Sequence, residues 1–451
     1  MIAPSRSLFW KLFIPVSVLL LASALAAALF LPVAIQRNAE QEAVSVSDNQ
    51  KTLKLETLIQ TALQKNPSIM AAHADWMASK KNVWIDTALP DPMIGYDIMG
   101  AMRETRVGPE SQRFMVSQEI PFPLKLWEQG KIAGDEARAA YYQYLGVQRD
   151  MVQEMTKLYY ELYYVDASLA ALEEIKEVLK KFEGVAEARY ANLSGTQRDA
   201  AKAQAEVSMS LEKKYSLEAE RESLIAMLNA LCDQDPMNSL DSPELPDKPV
   251  LQHSLIELVN LAIQNREEIK EMEAMLKKSS HEKVLAHLNN IPDLNIGFEY
   301  DKVDSGMTAE EDDGKDSWMF PLRINVPLWQ QKNFAMIKKA GAEQKSREAK
   351  LIEAKNKTYY EVKDAYYKFQ SAMKTAELYE TAVIPQAQIA LNSDLAGYES
   401  GKSSFLDLLD SERVYLNAKL TYVRLFTEGL KSHVDLVRAT GLDFERKEES
   451  K

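Results

Sequence analysis

Cysteine is nearly absent from this chain. Cys232 stands alone among 451 residues, so no internal disulfide can form and a disulfide scaffold is excluded. Histidine is scarce too: His73, His253, His281, His287 and His433 have no spacing that assembles a metal site on one helix. Neither a glycine-rich phosphate loop nor a nucleophile motif occurs, so no catalytic residue, metal ligand or cofactor is assigned and an enzyme is not expected. Clusters of Lys and Arg are missing, and with a formal net charge of -13 no nucleic-acid surface is expected. Beyond residue 34 no apolar run is long enough to span a bilayer as a helix, so any later membrane contact has to come from strands.

The first 34 residues do carry such a run. Arg6 and Lys11 precede an apolar stretch from Leu12 to Ala34, and Ser23, Ala24, Ala26, Ala27 and Ala28 supply the small residues of an A-x-A cleavage site. Residues 1–34 read as an export signal, although their length also suits an uncleaved anchor. Residues 35–52 follow as a largely polar arm.

The chain then repeats itself. Leu58-Ile59-Gln60-Thr61-Ala62-Leu63-Gln64 returns as Leu258-Val259-Asn260-Leu261-Ala262-Ile263-Gln264. Pro90-Asp91, Gly95-Tyr96, Ile120-Pro121 and Tyr159-Tyr160-Glu161-Leu162 are matched in the same order by Pro292-Asp293, Gly297-Phe298, Val326-Pro327 and Tyr359-Tyr360-Glu361-Val362. A period of about 200 residues is a duplicated domain, far longer than a solenoid repeat. Each unit, 53–232 and 253–442, reads helix, helix, strand, strand, long helix, long helix. The connector at 233–252 carries Pro236, Pro243, Pro246 and Pro249, and residues 443–451 form a polar tail.

From Leu126 to Glu183 no proline interrupts a heptad-like series through Met151, Met155, Leu158, Leu162, Val165, Leu169, Leu172 and Leu179. A helix approaching ~60 residues reaches roughly 85 Å. The second unit matches it from Gln330 to Leu395. Tyr159, Tyr160, Tyr163 and Tyr164, and Tyr359, Tyr360, Tyr366, Tyr367 and Phe369, add bulk to further faces. Two apolar seams per helix imply neighbours on both sides.

Four segments, 92–100, 112–120, 294–301 and 317–326, alternate with period two. Ile94, Tyr96 and Ile98 share one face, as do Phe114, Val116 and Ile120, then Leu294, Ile296, Phe298 and Tyr300, then Trp318, Phe320, Leu322, Ile324 and Val326. Asp97, Arg113, Glu299, Asp301 and Arg323 lie opposite. Such strands suit either a soluble half-buried sheet or a membrane barrel with a wet lumen. A barrel needs about eight strands or more, so one chain cannot close it, whereas three chains would give twelve. Met102–Ser111 and Lys302–Asp316 would form charged loops at its mouth. Pro321 interrupts the last strand's ladder.

The order of elements, the duplication and the segment Tyr398-Glu-Ser-Gly401-Lys-Ser-Ser-Phe-Leu-Asp407-Leu-Leu-Asp410 together resemble the TolC family of outer-membrane efflux proteins. The resemblance runs from Leu53 to Leu442, and its Arg-Tyr-Ala pattern is nearest to subunits that serve heavy-metal exporters. It implies a mainly α protein with a membrane β-barrel. In such a protein a homotrimer closes a 12-stranded barrel, set in outer-membrane lipid, on a long α-helical periplasmic barrel. It also implies a passive exit duct working with a periplasmic adaptor and an inner-membrane pump. Carried over by residue, Asp407 and Asp410 line the narrow periplasmic entrance and Tyr398 is a gate tyrosine, with Asp199 and Tyr190 as their first-repeat counterparts. Leu193 stands where the family has a turn glycine, and Ser403 where some members carry a gate arginine.

The residues admit plainer roles. Ser404 and Asp407 also spell a helix cap, and Met93, Met99, Met115 and Met319 on the presumed lumen face suit space-filling better than a soft-metal path. A periplasmic adaptor or structural coiled coil is the alternative class, but it would have one helical hairpin where this chain has two. An envelope metallohydrolase lacks its ligands.

Overall fold

The computed structural model describes residues 52–442 apart from 194 and 307–310. The signal or anchor at 1–34, the arm up to residue 51 and the tail at 443–451 lie outside the described residues. In chain order the elements are α1 Leu55–Lys65, α2 Pro67–Thr87, β1 Met93–Thr105, β2 Gly108–Ile120, α3 Pro123–Ala191, α4 Gln197–Leu231, α5 Leu255–Asn265 and α6 Glu267–Leu288. They continue as β3 Leu294–Val303, β4 Ser317–Met319, β5 Leu322–Ile324, α7 Gln330–Leu378, α8 Ile384–Glu399 and α9 Phe405–Thr440. Among the described residues no helix is long and apolar enough to cross a membrane.

The two short helices show why the sequence repeats. Leu58, Ile59 and Ala62 of α1 are buried against Met155, Tyr159 and Leu162 of α3, and Leu258, Val259 and Ala262 of α5 against Val362 and Ala365 of α7. The shared residues are thus the buried faces. A single residue separates α1 from α2. Asn66 leaves helical geometry, its side chain accepts a bond from Ser68 N at 2.9 Å, and Pro67 starts the next helix where no N–H partner is needed.

Helix α3 spans 69 residues, about 100 Å of rise. Met151, Met155, Tyr159, Leu162 and Val165 pack on α1 and α4. Leu172, Ile175, Leu179, Phe182 and Ala186 then enter a second core shared with α4, α8 and α9. Steps of three and four residues hold that seam on one side of the helix. The expected second seam is clearest on α7, where Tyr359, Tyr360 and Tyr367 are exposed and nothing in the described chain covers them.

The second repeat is less regular than its sequence suggested. A single π-helical turn, Tyr379–Val383, joins α7 to α8 just ahead of Pro385. Proline has no N–H and its ring crowds the carbonyl one turn back, so the wider turn accommodates it inside a continuing helix. Gln330 to Leu395 is therefore not one unbroken α-helix: the helical path runs on to Glu399 with a defect that α3 lacks.

All four expected strands pair in one antiparallel sheet, and three are longer than their alternation indicated. The β1–β2 hairpin pairs Tyr96 with Phe114, and β2 joins the two repeats by pairing Phe114 with Tyr300 and Val116 with Phe298. The fourth strand divides into β4 and β5 at Phe320–Pro321. Pro321 donates nothing, yet its carbonyl still accepts from Gly297 N at 2.9 Å, so the ladder resumes with Leu322 opposite Ile296. Ile94, Tyr96, Ile98, Trp318, Phe320, Leu322 and Ile324 are exposed on one face. The other carries ion pairs, Arg113 Nε to Asp301 Oδ1 at 2.5 Å and Arg323 to Glu299. Both β1 and the broken β4/β5 strand are open edges.

Candidate functional site at the helical tip

All five gate residues inferred from the sequence lie near the turns that join α3 to α4 and α8 to α9. Each turn is built the same way. Ser404 caps α9: Asp407 N donates to Ser404 Oγ at 3.2 Å while Ser404 N and Oγ donate to Asp407 Oδ2 at 3.0 and 2.7 Å. Thr196 and Asp199 form the same capping box on α4. The capping role of Asp407 is thus real, and the Ser404 hydroxyl and N–H hold its carboxyl below the usual range. Asp410 is exposed one turn on, with no hydrogen bond or ion pair among the described residues. Its i,i+3 spacing puts it on the same side of α9 as Asp407.

Gly401 closes the second turn with φ +78 and Leu193 occupies the equivalent place in the first with φ +57. The first hairpin therefore keeps the left-handed geometry without the residue that favours it. Leu193 is 95% exposed, so no packing offsets the strain. Leu193→Gly is expected to remove a penalty of ~1–2 kcal/mol, less ~0.5–1 kcal/mol of added freedom in the unfolded chain. Hydrogen exchange at the α3–α4 turn should slow two- to fivefold, and unchanged or faster exchange would show that the turn carries no such strain.

The two tyrosines differ in role. Tyr190 is exposed, whereas Tyr398 is buried against Phe405, with ring centroids 5.2 Å apart. Burial, and then the charge of Asp199, push the Tyr398 phenol up, and its hydroxyl is buried with no hydrogen-bond partner among the described residues. Arg189, at the end of α3, reaches across from the first repeat. Its guanidinium lies 4.6 Å from the Tyr398 ring centre and donates to the Tyr398 carbonyl. An arginine thus meets the tyrosine that the sequence marked as a gate candidate, although Ser403 stands where an arginine was expected. The sequence contained this residue in its Arg-Tyr-Ala pattern, but a contact spanning 209 positions leaves no local signal. Ser403 itself packs against Gly397, where a Cβ would come within 2.2 Å of its hydroxyl.

Comparisons with known proteins agree on the fold. The structure of the outer membrane protein VceC from Vibrio cholerae matches with a TM-score of 0.73 at 19% identity, covering 87% of this chain and 97% of that one. The open state of the Neisseria gonorrhoeae MtrE outer membrane channel matches at 0.71 and 19%, covering 90% and 97%. CusC, whose structures concern folding and transmembrane channel formation, matches at 0.72 and 18%, covering 86% and 92%. No curated protein sequence is significantly similar to the chain. Long paired helices joined to a sheet with two open edges thus define an outer-membrane channel fold. The profile described as outer membrane efflux protein matches residues 58–230 and 258–442, and the chain belongs to that family. It is an outer-membrane protein with a long periplasmic helical part, and it serves as the exit duct of a tripartite efflux system.

Proposed function

We propose that three copies of this chain assemble into one duct, each adding its four-stranded sheet to a shared 12-stranded barrel and its helices to a periplasmic tube that ends at Asp407 and Asp410. The observation that carries this reading is the sheet: it has two open edges, an apolar outer face and an ion-paired inner face, and cannot close alone. The uncovered tyrosines of α7 support it, because a neighbouring copy would bury them. The duct is passive, and its substrates arrive from an adaptor and an inner-membrane pump. The likeness to heavy-metal exporter subunits supports metal cations as cargo, although CusC fits no better than VceC or MtrE.

Crosslinking in isolated outer membranes should trap a three-chain species, and a monomer in the periplasm would end this reading. Orientation is tested with single cysteines in a Cys232→Ala background. Ser305 and Lys402 are both exposed and lie at opposite ends, and Lys402 avoids the crowding at Ser403. An impermeant thiol reagent on intact cells should label Ser305→Cys and spare Lys402→Cys. The reverse pattern would invert the topology.

A further inference from the structure

One acidic side chain near the tip is neither exposed nor paired. Glu412 lies on α9 one turn beyond Leu408 and one turn before Leu416, within the apolar stripe that packs the two hairpins together. It is 2% exposed, and among the described residues it makes no hydrogen bond and no ion pair. Its neighbour Arg413 points elsewhere, to Glu206 on α4. A lone buried carboxylate is costly, and proteins meet that cost by pairing the charge or by keeping the proton.

We propose that Glu412 is a proton-binding site that couples the packing of the two hairpin tips to pH: holding a proton it completes the apolar core, and losing it loosens α9 from the first repeat. The charged groups around it are accounted for. From α4 come Glu206, already paired with Arg413, and Lys213; from α3 comes Glu174, held by Lys419; from α8 comes Asp394, which accepts from Ser411. Neither cation pairs with Glu412 among the described residues: Arg413 is taken by Glu206, and Lys213 acts on it only from beyond ion-pair distance. Burial first, and then the charge of Glu206, push its carboxyl up to about 7 from an ordinary 4.5, against the weaker pull of Arg413 and Lys213.

The sign follows from linkage. A carboxyl whose value is raised in the packed state favours packing fully below its ordinary value. That contribution is lost as pH rises through the raised value. The tips therefore pack most tightly in mild acid and loosen toward neutrality. Between pH 5 and pH 7.5 the opening equilibrium should rise by up to about 50-fold if Glu412 becomes fully hydrated on opening. This burial lies within one chain, so the proton site stands without the trimer. Only its effect on transport rests on reading this end as the duct's entrance.

The test uses the full-length protein in detergent, as wild type, Glu412→Gln and Glu206→Gln. Infrared difference spectra of the wild type should show a carboxylic acid band that titrates near neutrality and is missing in Glu412→Gln. In Glu206→Gln, which lacks the opposing charge, the band should titrate at lower pH. Hydrogen exchange in α4 and α9 at the tip, corrected for intrinsic rates, should speed up with pH in the wild type and stay flat in Glu412→Gln. Spectra or exchange profiles indistinguishable between wild type and Glu412→Gln would overturn the proposal. Failure of crosslinking or of the labelling pattern, with the band intact, would instead remove the duct reading alone.

Discussion

Arg438→Ala should be strongly destabilising in the helical part, at a cost of about 2–3 kcal/mol, the range for losing hydrogen bonds to charged groups. The guanidinium is 7% exposed and ties three helices together. From α9 it donates to Asp150 of α3 at 2.7 Å through Nε and to the Glu268 carboxylate of α6 through both terminal nitrogens. Glu267 lies 3.9 Å from it, is itself buried, and holds Arg149 at 2.6 Å. Taking away the arginine leaves Glu268 to Arg266 and the buried Glu267 to Arg149, while the exposed Asp150 turns to water, so the loss is that of the shared bonds across three helices. Lysine offers one compact charge and no planar fork, so Arg438→Lys should recover only part of the loss. Burial disfavours the Glu268 carboxylate, but its bonds to Arg438 outweigh that and hold it below its ordinary 4.5. The stabilisation is therefore present above that value and fades as pH falls through the depressed one. Denaturant midpoints of detergent-solubilised wild type and mutant should converge in acid. A mutant within about 1 kcal/mol of wild type at neutral pH would show that the network contributes little.

The second large effect is functional. Replacing both Asp407 and Asp410 with alanine should weaken block by multivalent cations from the periplasmic side by about 100-fold, or about 2.8 kcal/mol. Three copies would bring six carboxylates around one axis, a site rich in hard oxygen ligands. The single mutants should differ. Asp410 has no other partner among the described residues, so Asp410→Ala should lower block and leave the helix start intact. Asp407→Ala also removes one side of the capping box, at about 1 kcal/mol, and should loosen the first turn of α9. Planar-bilayer recordings decide the matter: unchanged block in assembled double mutants would leave these residues as ordinary caps.

The elements were legible where burial is periodic. Heptad spacing in α3 and the two-residue alternation of the strands are direct imprints of which faces are covered, so both were readable without a structure. Pro321 announced the interruption between β4 and β5 because a ladder needs every N–H. Pro385 is passed over when the second long helix is read straight through it, and only the structure shows the π turn that admits the proline while the helical path continues. The tip was half readable. Capping boxes are local and follow from Ser404 with Asp407 and Thr196 with Asp199. The reach of Arg189 to Tyr398 and the shielding of Glu412 depend on how two distant hairpins meet. For Glu412 one clue was present, an acid four residues after Leu408 and four before Leu416.

The π turn ahead of Pro385 has a mechanical consequence. A helix with every bond in register resists bending, whereas one wide turn concentrates compliance at a single point. From Val383 to the end of α8 at Glu399 is sixteen residues, an arm of about 24 Å. A flexure of about 5° at that joint would swing its far end by about 2 Å. The first hairpin has no such joint. Motion at the entrance should therefore be lopsided, with one hairpin of each chain acting as a stiff post and the other as the leaf that turns against it.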